Sequence, residues 1–525
     1  MKTTNFNVGL LGHVDCGKTT LARALSSISS TAAFDKNPQS VERGITLDLG
    51  FSAFLWEKPQ KEQQQQQLQI TFVDCPGHAS LIRTIIGGAQ IIDLMLLVVD
   101  AQKGIQTQTA ECLLIGELLD KQLLVVINKL DALPAEQRES QLEKLRARLR
   151  KTLASTKFGK EVPIYTVSAL VGTNIEQLRL ALGAACEASQ RQLSPAAGAA
   201  PLLIYVDHCF AIKGQGTVCT GTVLQGTVAI NDTVELPMLG ERRKVKSIQR
   251  FRQPVDEASA GDRIGLCVTQ FNAKLMERGI IAQPDYLKPV HAVCVQLQPI
   301  RYFKHPIRSR SKLHISVGHD TVMANLHLFR DEATQLSSFD LSREYEHVEE
   351  LLPQQAMDSG ADCIFALLQF ESPVLSTLGS TLIASKLDMD VHSSSCRLAF
   401  WGRILWQTHC INYKRELLPQ LRIFKHKHKE SNVQRVVNPN EIIVQNLFKK
   451  EANRDIYVGK RVQLSTGETG HIERTFGQSS KVCILFRDGL RQETLEQLKS
   501  ERAKEVRVLL NCKKYIFNKQ AGLFQ

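Results

Sequence analysis

The pattern of apolar and polar positions changes character along the chain, and the changes divide it. In the first 188 residues the apolar runs at 5–11, 94–99 and 123–127 are nearly continuous, which predicts strands of a parallel sheet buried on both faces. Residues 49–54 and 68–73 predict two more strands. The glutamine tract at 63–67 between them is polar and low in complexity; it cannot pack and is expected to bulge as a loop. From 135 to 155 the period changes, and Leu142, Leu145, Leu149 and Leu153 share one stripe of an amphipathic helix. Residues 162–167 predict the last strand. Strands that alternate with helices give a doubly wound α/β domain over 1–188.

Residues 189–200, SQRQLSPAAGAA, read as a small-residue linker. Beyond it come short alternating strands with Gly turns, at 202–206, 216–223 and 245–248. They predict a β-barrel over 201–287. A second barrel is expected over 288–410, with strands at 312–317 and 396–400 and an acidic, mobile loop insertion at 336–358. From 411 the texture changes again. Residues 422–429 alternate cations with apolar residues or His, 464–472 form a Gly-turned hairpin, 481–486 pair after it, and a charged stretch at 498–505 precedes a strand at 506–510. The whole is read as multidomain: an α/β domain followed by two β-barrels and a basic, mainly β C-terminal domain over 411–525. A chain of 525 residues exceeds one core and is expected to form about three to four domains.

Composition changes this picture in two places. The 13 cysteines are scattered, with no C-x-x-C pair. That predicts reduced, mostly buried thiols in a cytosolic protein, without a disulfide framework or zinc site. The net charge of +12 is concentrated: residues 411–525 hold 23 Lys and Arg against 12 Asp and Glu. A phosphate-bearing partner is expected there, and the alternating cations at 422–429 would form a basic stripe along a nucleic-acid backbone. The plainer reading is an edge strand protected by lysines. No apolar run reaches the roughly 18 residues a membrane helix needs, and the first residues lack a signal-peptide pattern.

The chemistry begins at residues 12–19, GHVDCGKT, which fit G-x-x-x-x-G-K-[ST] between a strand and a helix. Such a loop folds around phosphate with its N–H groups inward, at the positive end of a helix. The candidate ligands are Asp15, Gly17, Lys18, Thr19 and Thr20. Lys18 would reach the β- and γ-phosphates, and the Thr19 hydroxyl would bind Mg²⁺. Residues 74–77, DCPG, end a strand; Asp74 is placed near the metal and the Gly77 N–H near the γ-phosphate. Thr46 would complete the Mg²⁺ shell only with GTP bound, so both segments are candidate switches. Residues 128–131, NKLD, end another strand. The Asp131 carboxylate can accept from both guanine N–H donors, Asn128 ties the loop, and the Lys129 stem packs on the base. Ser168 and Ala169 offer N–H groups to guanine O6. GTP or GDP at the carboxyl ends of a doubly wound sheet follows.

The combination GHVDCGKT, RGIT, DCPGH and NKLD resembles the translational GTPases. In that family the residue matching His78 positions the attacking water and is held outside the site until the ribosome places it. Val14 and Ile45 match its hydrophobic gate. Cys16 departs from the His of bacterial elongation factor Tu, with its side chain expected to face away from the phosphates. Longer stretches, among them VDHCFAIKGQGTV, GDRIGLCVTQF, CRLAFWG and STGETGHI, resemble the selenocysteine-specific elongation factors of eukaryotes over nearly the full length. That resemblance implies a carrier of selenocysteyl-tRNA to a ribosome paused at a recoded UGA codon. It also implies contact with the partner that binds the selenocysteine-insertion RNA hairpin, a monomeric state, and a cytoplasmic location, with the basic tail leaving a nuclear fraction open.

The residues allow a check on that implication. A selenol ionises more readily than a hydroxyl or thiol, so its distinguishing feature is an anion. In the family the pocket lies on the first barrel, where the matching residues are Asp207, His208 and Arg263. Arg263 and protonated His208 would hold the selenolate, and Asp207 would orient the imidazole. The plainer reading pairs Arg263 with Asp262 or Asp207 on the barrel surface. Alternative functions are the GTPase subunit of an initiation factor, a general elongation factor, or the GTPase subunit of a sulfate-activating enzyme; the basic fourth domain argues against each.

Overall fold

The structure, a computed structural model, describes residues 3–29, 49–56, 67–77, 82–190, 200–214, 216–331, 339–354, 364–389, 396–448, 455–476 and 481–518. It divides into two units. One holds residues 1–326, 352–358 and 367–409; the other holds 327–351, 359–366 and 410–525.

The first unit opens with a seven-stranded sheet. Its strands are β1 (Thr3–Gly12), β2 (Ile28–Ser29), β3 (Gly50–Trp56), β4 (Gln67–Asp74), β5 (Leu94–Asp100), β6 (Gln122–Asn128) and β7 (Ile164–Thr166), in the order β2-β3-β4-β1-β5-β6-β7. Helices α1 (Lys18–Leu25), α2 (Ile82–Gln90), α3 (Thr107–Leu118), α4 (Arg138–Leu153) and α5 (Ile175–Gln190) cover it. The continuous apolar runs are explained by burial on both faces. Phe6, Val8 and Leu10 pack with Leu21 and Leu25 of α1 and Leu178 and Leu182 of α5. Leu11, Leu97 and Val125 pack with Ile85 of α2, Leu113 of α3 and the predicted α4 stripe, Leu142, Leu145, Leu149 and Leu153. The parallel register sets Leu10 opposite Asp74, Gly12 opposite Val98, and Asp100 opposite Asn128. One edge therefore gathers three of the motif loops.

A closed barrel follows. Its strands are β8 (Leu203–Ile212), β9 (Gly216–Gln225), β10 (Thr233–Leu236), β11 (Glu241–Arg250), β12 (Arg263–Val268) and β13 (Gly279–Ala282), in the order β10-β13-β8-β9-β12-β11, with β10 pairing β11 to close the ring. Val206, Cys219, Ile264, Leu266 and Val268 fill it. Between Val206 and His208 the β8–β9 register shifts. Asp207 is the extra residue, and such a bulge re-aims a side chain. Further along this unit, strands Lys312–Val317, Thr381–Ser385, Leu398–Thr408 and Pro289–Gln296 pair in that order. Ile300, Ile383 and Leu398 join the apolar cluster beneath α2 and α3. Buried Arg397 donates to both carboxylate oxygens of Glu111 on α3, at 3.0 and 2.7 Å.

The second unit is built on the long strand Ile423–Asn438, paired with Arg507–Tyr515 on one side and Glu441–Gln445 on the other. Val444, Val462, Ile472, Ile484 and Val508 form its core. The predicted hairpin is present as Arg461–Leu464 and Thr469–Thr475. The acidic stretch corrects the sequence reading. Its described part, 339–354, contains a strand, Tyr345–Val348, parallel to Ile423–Asn438, and Tyr345 is fully buried. The rest of 336–358 lies outside the described residues, as does 191–199 of the predicted linker. The basic stripe is also partly neutralised: Glu344 pairs with Arg422 (2.5 Å) and Lys513 (3.1 Å), and Glu349 with Lys425. Every described cysteine is a free thiol.

Candidate functional site

The phosphate loop leaves β1 and enters α1 through Gly17, whose φ of 89° is left-handed. A side chain there would meet Asn128 Nδ2 at 2.4 Å, so the position requires glycine. Lys18 is buried, with Nζ donating to the His13 carbonyl at 2.8 Å. Gly77 lies against the same ammonium: a Cβ there would sit 2.3 Å from Lys18 Nζ. The Thr19 hydroxyl donates to Asp74 Oδ2 at 2.6 Å. The sequence-predicted lysine, two of the three metal-ligand candidates (Thr19 and Asp74) and the D-x-x-G glycine thus converge. Cys16 packs in the core beneath α1 with its Sγ 3.9 Å from Lys18 Nζ, and burial pushes its thiol pKa up.

The guanine loop is tied to this cradle. Asn128 Nδ2 donates to the Cys16 carbonyl (3.0 Å), and Asn128 Oδ1 accepts from the Ala169 N–H (3.0 Å). That N–H, expected on guanine O6, fastens two motifs in this structure. The Ser168 hydroxyl donates to the Asp131 carboxylate, a positioning contact that the sequence did not suggest. Lys129, left-handed at φ 67°, sets its ammonium 2.9 Å from Asp100. Asp100 is held below the usual carboxylate range against the effect of burial, by hydrogen bonds from Lys129 and the Lys103 and Gln102 backbone. Asp15 is also left-handed, at φ 60°, and Thr20 lies in the first turn of α1. His78, Thr46 and Ile45 lie outside the described residues.

The second candidate site lies on the outer face of the first barrel. Arg263 and Asp207 are buried, at 4% exposure each. Arg263 Nη1 donates to Asp207 Oδ1 at 2.7 Å, and Nη2 donates to Oδ2. The carboxylate is committed to Arg263 and not to the His208 imidazole, which corrects the expected orienting role. The bulge at Asp207 is the physical reason. Nor is this a surface pair: the Arg263 guanidinium lies 3.3 Å from the centroid of the Phe51 ring on β3. Asp262 pairs elsewhere, with Arg250 at 2.7 Å. A cavity of about 90 Å³ beside Arg263 is lined by Phe210, Thr220, Gly265 and Cys267. Half-buried His208 sits opposite Thr220 in the β8–β9 register. Phe51 is not marked in the sequence, because an apolar residue in a buried strand carries no signal.

The profile "Elongation factor Tu GTP binding domain" matches residues 3–207, and "Elongation factor Tu domain 2" matches 216–280. "Selenocysteine-specific elongation factor, eukaryotes, 3rd domain" matches 294–402, and "eEFSec C-terminal RIFT domain" matches 419–521. The selenocysteine-specific elongation factor of Mus musculus is 47% identical over 94% of this chain and 90% of its own length. The chain belongs to the selenocysteine-specific elongation factor family. The member from Methanocaldococcus jannaschii is 34% identical over 77% of this chain and 80% of its own. The crystal structure of translation elongation factor SelB from Methanococcus maripaludis, in complex with the GTP analogue GPPNHP, superposes with a TM-score of 0.69. It is 27% identical and covers 98% of this chain and 99% of that one. This elongation factor is a translational GTPase that binds GTP and GDP. Among its described residues no helix is long and apolar enough to cross a membrane.

Proposed function

We propose that this elongation factor, bound to GTP, carries selenocysteyl-tRNA to the ribosomal A site at recoded UGA codons and releases it after hydrolysis. In a chain of this family, the observation that carries the reading is the buried guanidinium of Arg263 beside a small cavity on the first barrel. A buried cation favours an anion over a neutral group of similar shape. Selenocysteine offers an anion and serine does not. His208 supplies a second donor on the same face when protonated.

The nucleotide site supplies the switch. Lys18 and the loop N–H groups hold phosphate, Asp131 reads guanine, and Gly77 senses the γ-phosphate. Thr19 and Asp74 bring hard oxygens within 2.6 Å of each other, which fits Mg²⁺; Thr46 would join them. Mg²⁺, when bound, neutralises charge on the β- and γ-phosphates. His78 positions the attacking water once the ribosome has placed it. His78→Ala should lower ribosome-stimulated GTP hydrolysis by roughly 10²–10⁴-fold; an unchanged rate removes His78 from the mechanism.

The domains are read as 1–188 for GTP, 201–287 for the amino acid, 288–410 for the tRNA body, and 411–525 for RNA and the partner that binds the insertion hairpin. A monomer working in the cytoplasm with the ribosome fits this arrangement. Protection of the aminoacyl ester tests it. Selenocysteyl-tRNA and seryl-tRNA of one tRNA body are incubated with the protein and GTP, and ester hydrolysis is followed. Stronger protection of the selenocysteyl form than of the seryl form, a difference erased by Arg263→Ala, is expected. Equal protection of both would place specificity in the tRNA body and contradict the pocket.

A further inference from the structure

A guanidinium offers edges that donate and faces that stack. In Arg263 the end edge is taken by Asp207, which engages one N–H on each Nη. One face is taken by Phe51, 3.3 Å from the ring centroid and itself 1% exposed. The Nε side of the group remains outside both contacts. The adjacent cavity of about 90 Å³ has room for about three waters, or a small side chain.

Phe51 does not belong to the barrel. It lies on β3, one residue beyond Gly50, which is the register partner of Asp74. Asp74 in turn accepts the Thr19 hydroxyl of the phosphate loop. The ring that covers Arg263 is therefore fixed to the strand pair that carries a group of the nucleotide site.

We infer that Phe51 is a specificity-determining residue of the selenocysteine pocket, contributed by the GTPase domain. Its ring excludes water from one face of Arg263 and fixes the guanidinium plane, so that the remaining N–H donors meet a selenolate in a setting of low dielectric. The barrel supplies the charge; the GTPase domain supplies its orientation and dryness. A movement of β3 away from the barrel wets Arg263 and loosens the grip on the amino acid. This rests on the pocket reading proposed above.

The ester-protection assay tests it. Phe51→Leu keeps an apolar cover and loses the aromatic face; Phe51→Tyr keeps the face. Phe51→Leu is expected to lower the ratio of selenocysteyl to seryl protection about tenfold, with seryl protection unchanged. Phe51→Tyr is expected to retain the ratio within about threefold. A ratio unchanged in Phe51→Leu overturns the inference, and so does an equal loss of protection for both esters, which marks a merely structural role. If Phe51→Leu does not fold, Arg263→Lys puts the same question, because it keeps the charge and loses the plane that stacks; retained selectivity there overturns the inference. Arg263→Ala separates the two readings. If it leaves selectivity intact, the pocket itself fails. If it abolishes selectivity while Phe51→Leu does not, Phe51 alone fails.

Discussion

The nucleotide site takes its groups from loops at one edge of a single sheet, whereas the proposed amino-acid pocket would take Asp207, Arg263 and Phe51 from three strands, β8, β12 and β3. In the first, much of the recognition is by backbone. Gly17 and Gly77 admit the close approaches, and Asn128 ties its loop to residues 16 and 169 through main-chain groups. In the second, recognition is by side chains, and each depends on another for its orientation. A backbone cradle tolerates change around it as long as its glycines remain. A buried guanidinium tolerates little, because removing its carboxylate partner, Asp207, leaves an uncompensated charge.

The difference can be tested from both sides. The largest effect is expected at Asp131. Asp131→Asn replaces the acceptor that guanine requires, and the preference for GTP over xanthosine triphosphate should fall by roughly 10³-fold or more. Competition between the two nucleotides measures this, and an unaltered preference for GTP would remove Asp131 from base recognition. Next comes Asp207→Ala, which strands Arg263 beneath Phe51. It should destabilise the first unit by about 3–5 kcal/mol in urea unfolding; a loss below ~1 kcal/mol would mean that Arg263 finds water and the pocket is not dry.

The smallest effect is expected at His319, close to the pocket. Its ring lies 5.5 Å from that of Tyr205. Burial pulls its pKa from the ordinary 6.5 down to about 4, against the pull of the Asp207 carboxylate and with the aid of Arg278. The unfolded chain takes up a proton near pH 6.5 and the folded one only near 4. Stability is thus complete above 6.5 and is lost as the pH falls toward 4. The loss is bounded by about 3 kcal/mol. Urea unfolding at pH 7 and pH 5 should show it in the parent, and a reduced slope in His319→Gln; equal slopes would place His319 in water.

Much of this molecule is legible in the sequence, for physical reasons that also mark where legibility stops. The apolar runs give β1, β5 and β6 because strands covered on both faces are mostly apolar; the buried Asn5 and Asn7 of β1 are satisfied by donating to the Gly261 carbonyl. The stripe Leu142, Leu145, Leu149 and Leu153 gives α4 because only one face of that helix meets the sheet. The phosphate loop, D-x-x-G and N-K-x-D are legible because close backbone approach and guanine chemistry admit few residues. The Asp207 bulge is not legible, since a one-residue register shift leaves no composition signal, whereas the Arg263–Asp207 pair is one of the two pairings the sequence offers as the plainer reading. Phe51 reads as any core aromatic. The strand Tyr345–Val348 reads as loop because Glu344, Glu346 and Glu349 outweigh the one buried tyrosine, and their cationic partners are distant in sequence.

The claim that an anion is what the pocket reads is tested most directly with cysteyl-tRNA on the same tRNA body, across pH. A free thiol ionises near pH 8.5 and a hydroxyl stays neutral throughout. With hydrolysis normalised to the protein-free rate at each pH, protection of the cysteyl ester by the GTP-bound protein should rise between about pH 7 and pH 9, while protection of the seryl ester stays flat. Cysteyl and seryl profiles that run parallel would contradict recognition by charge.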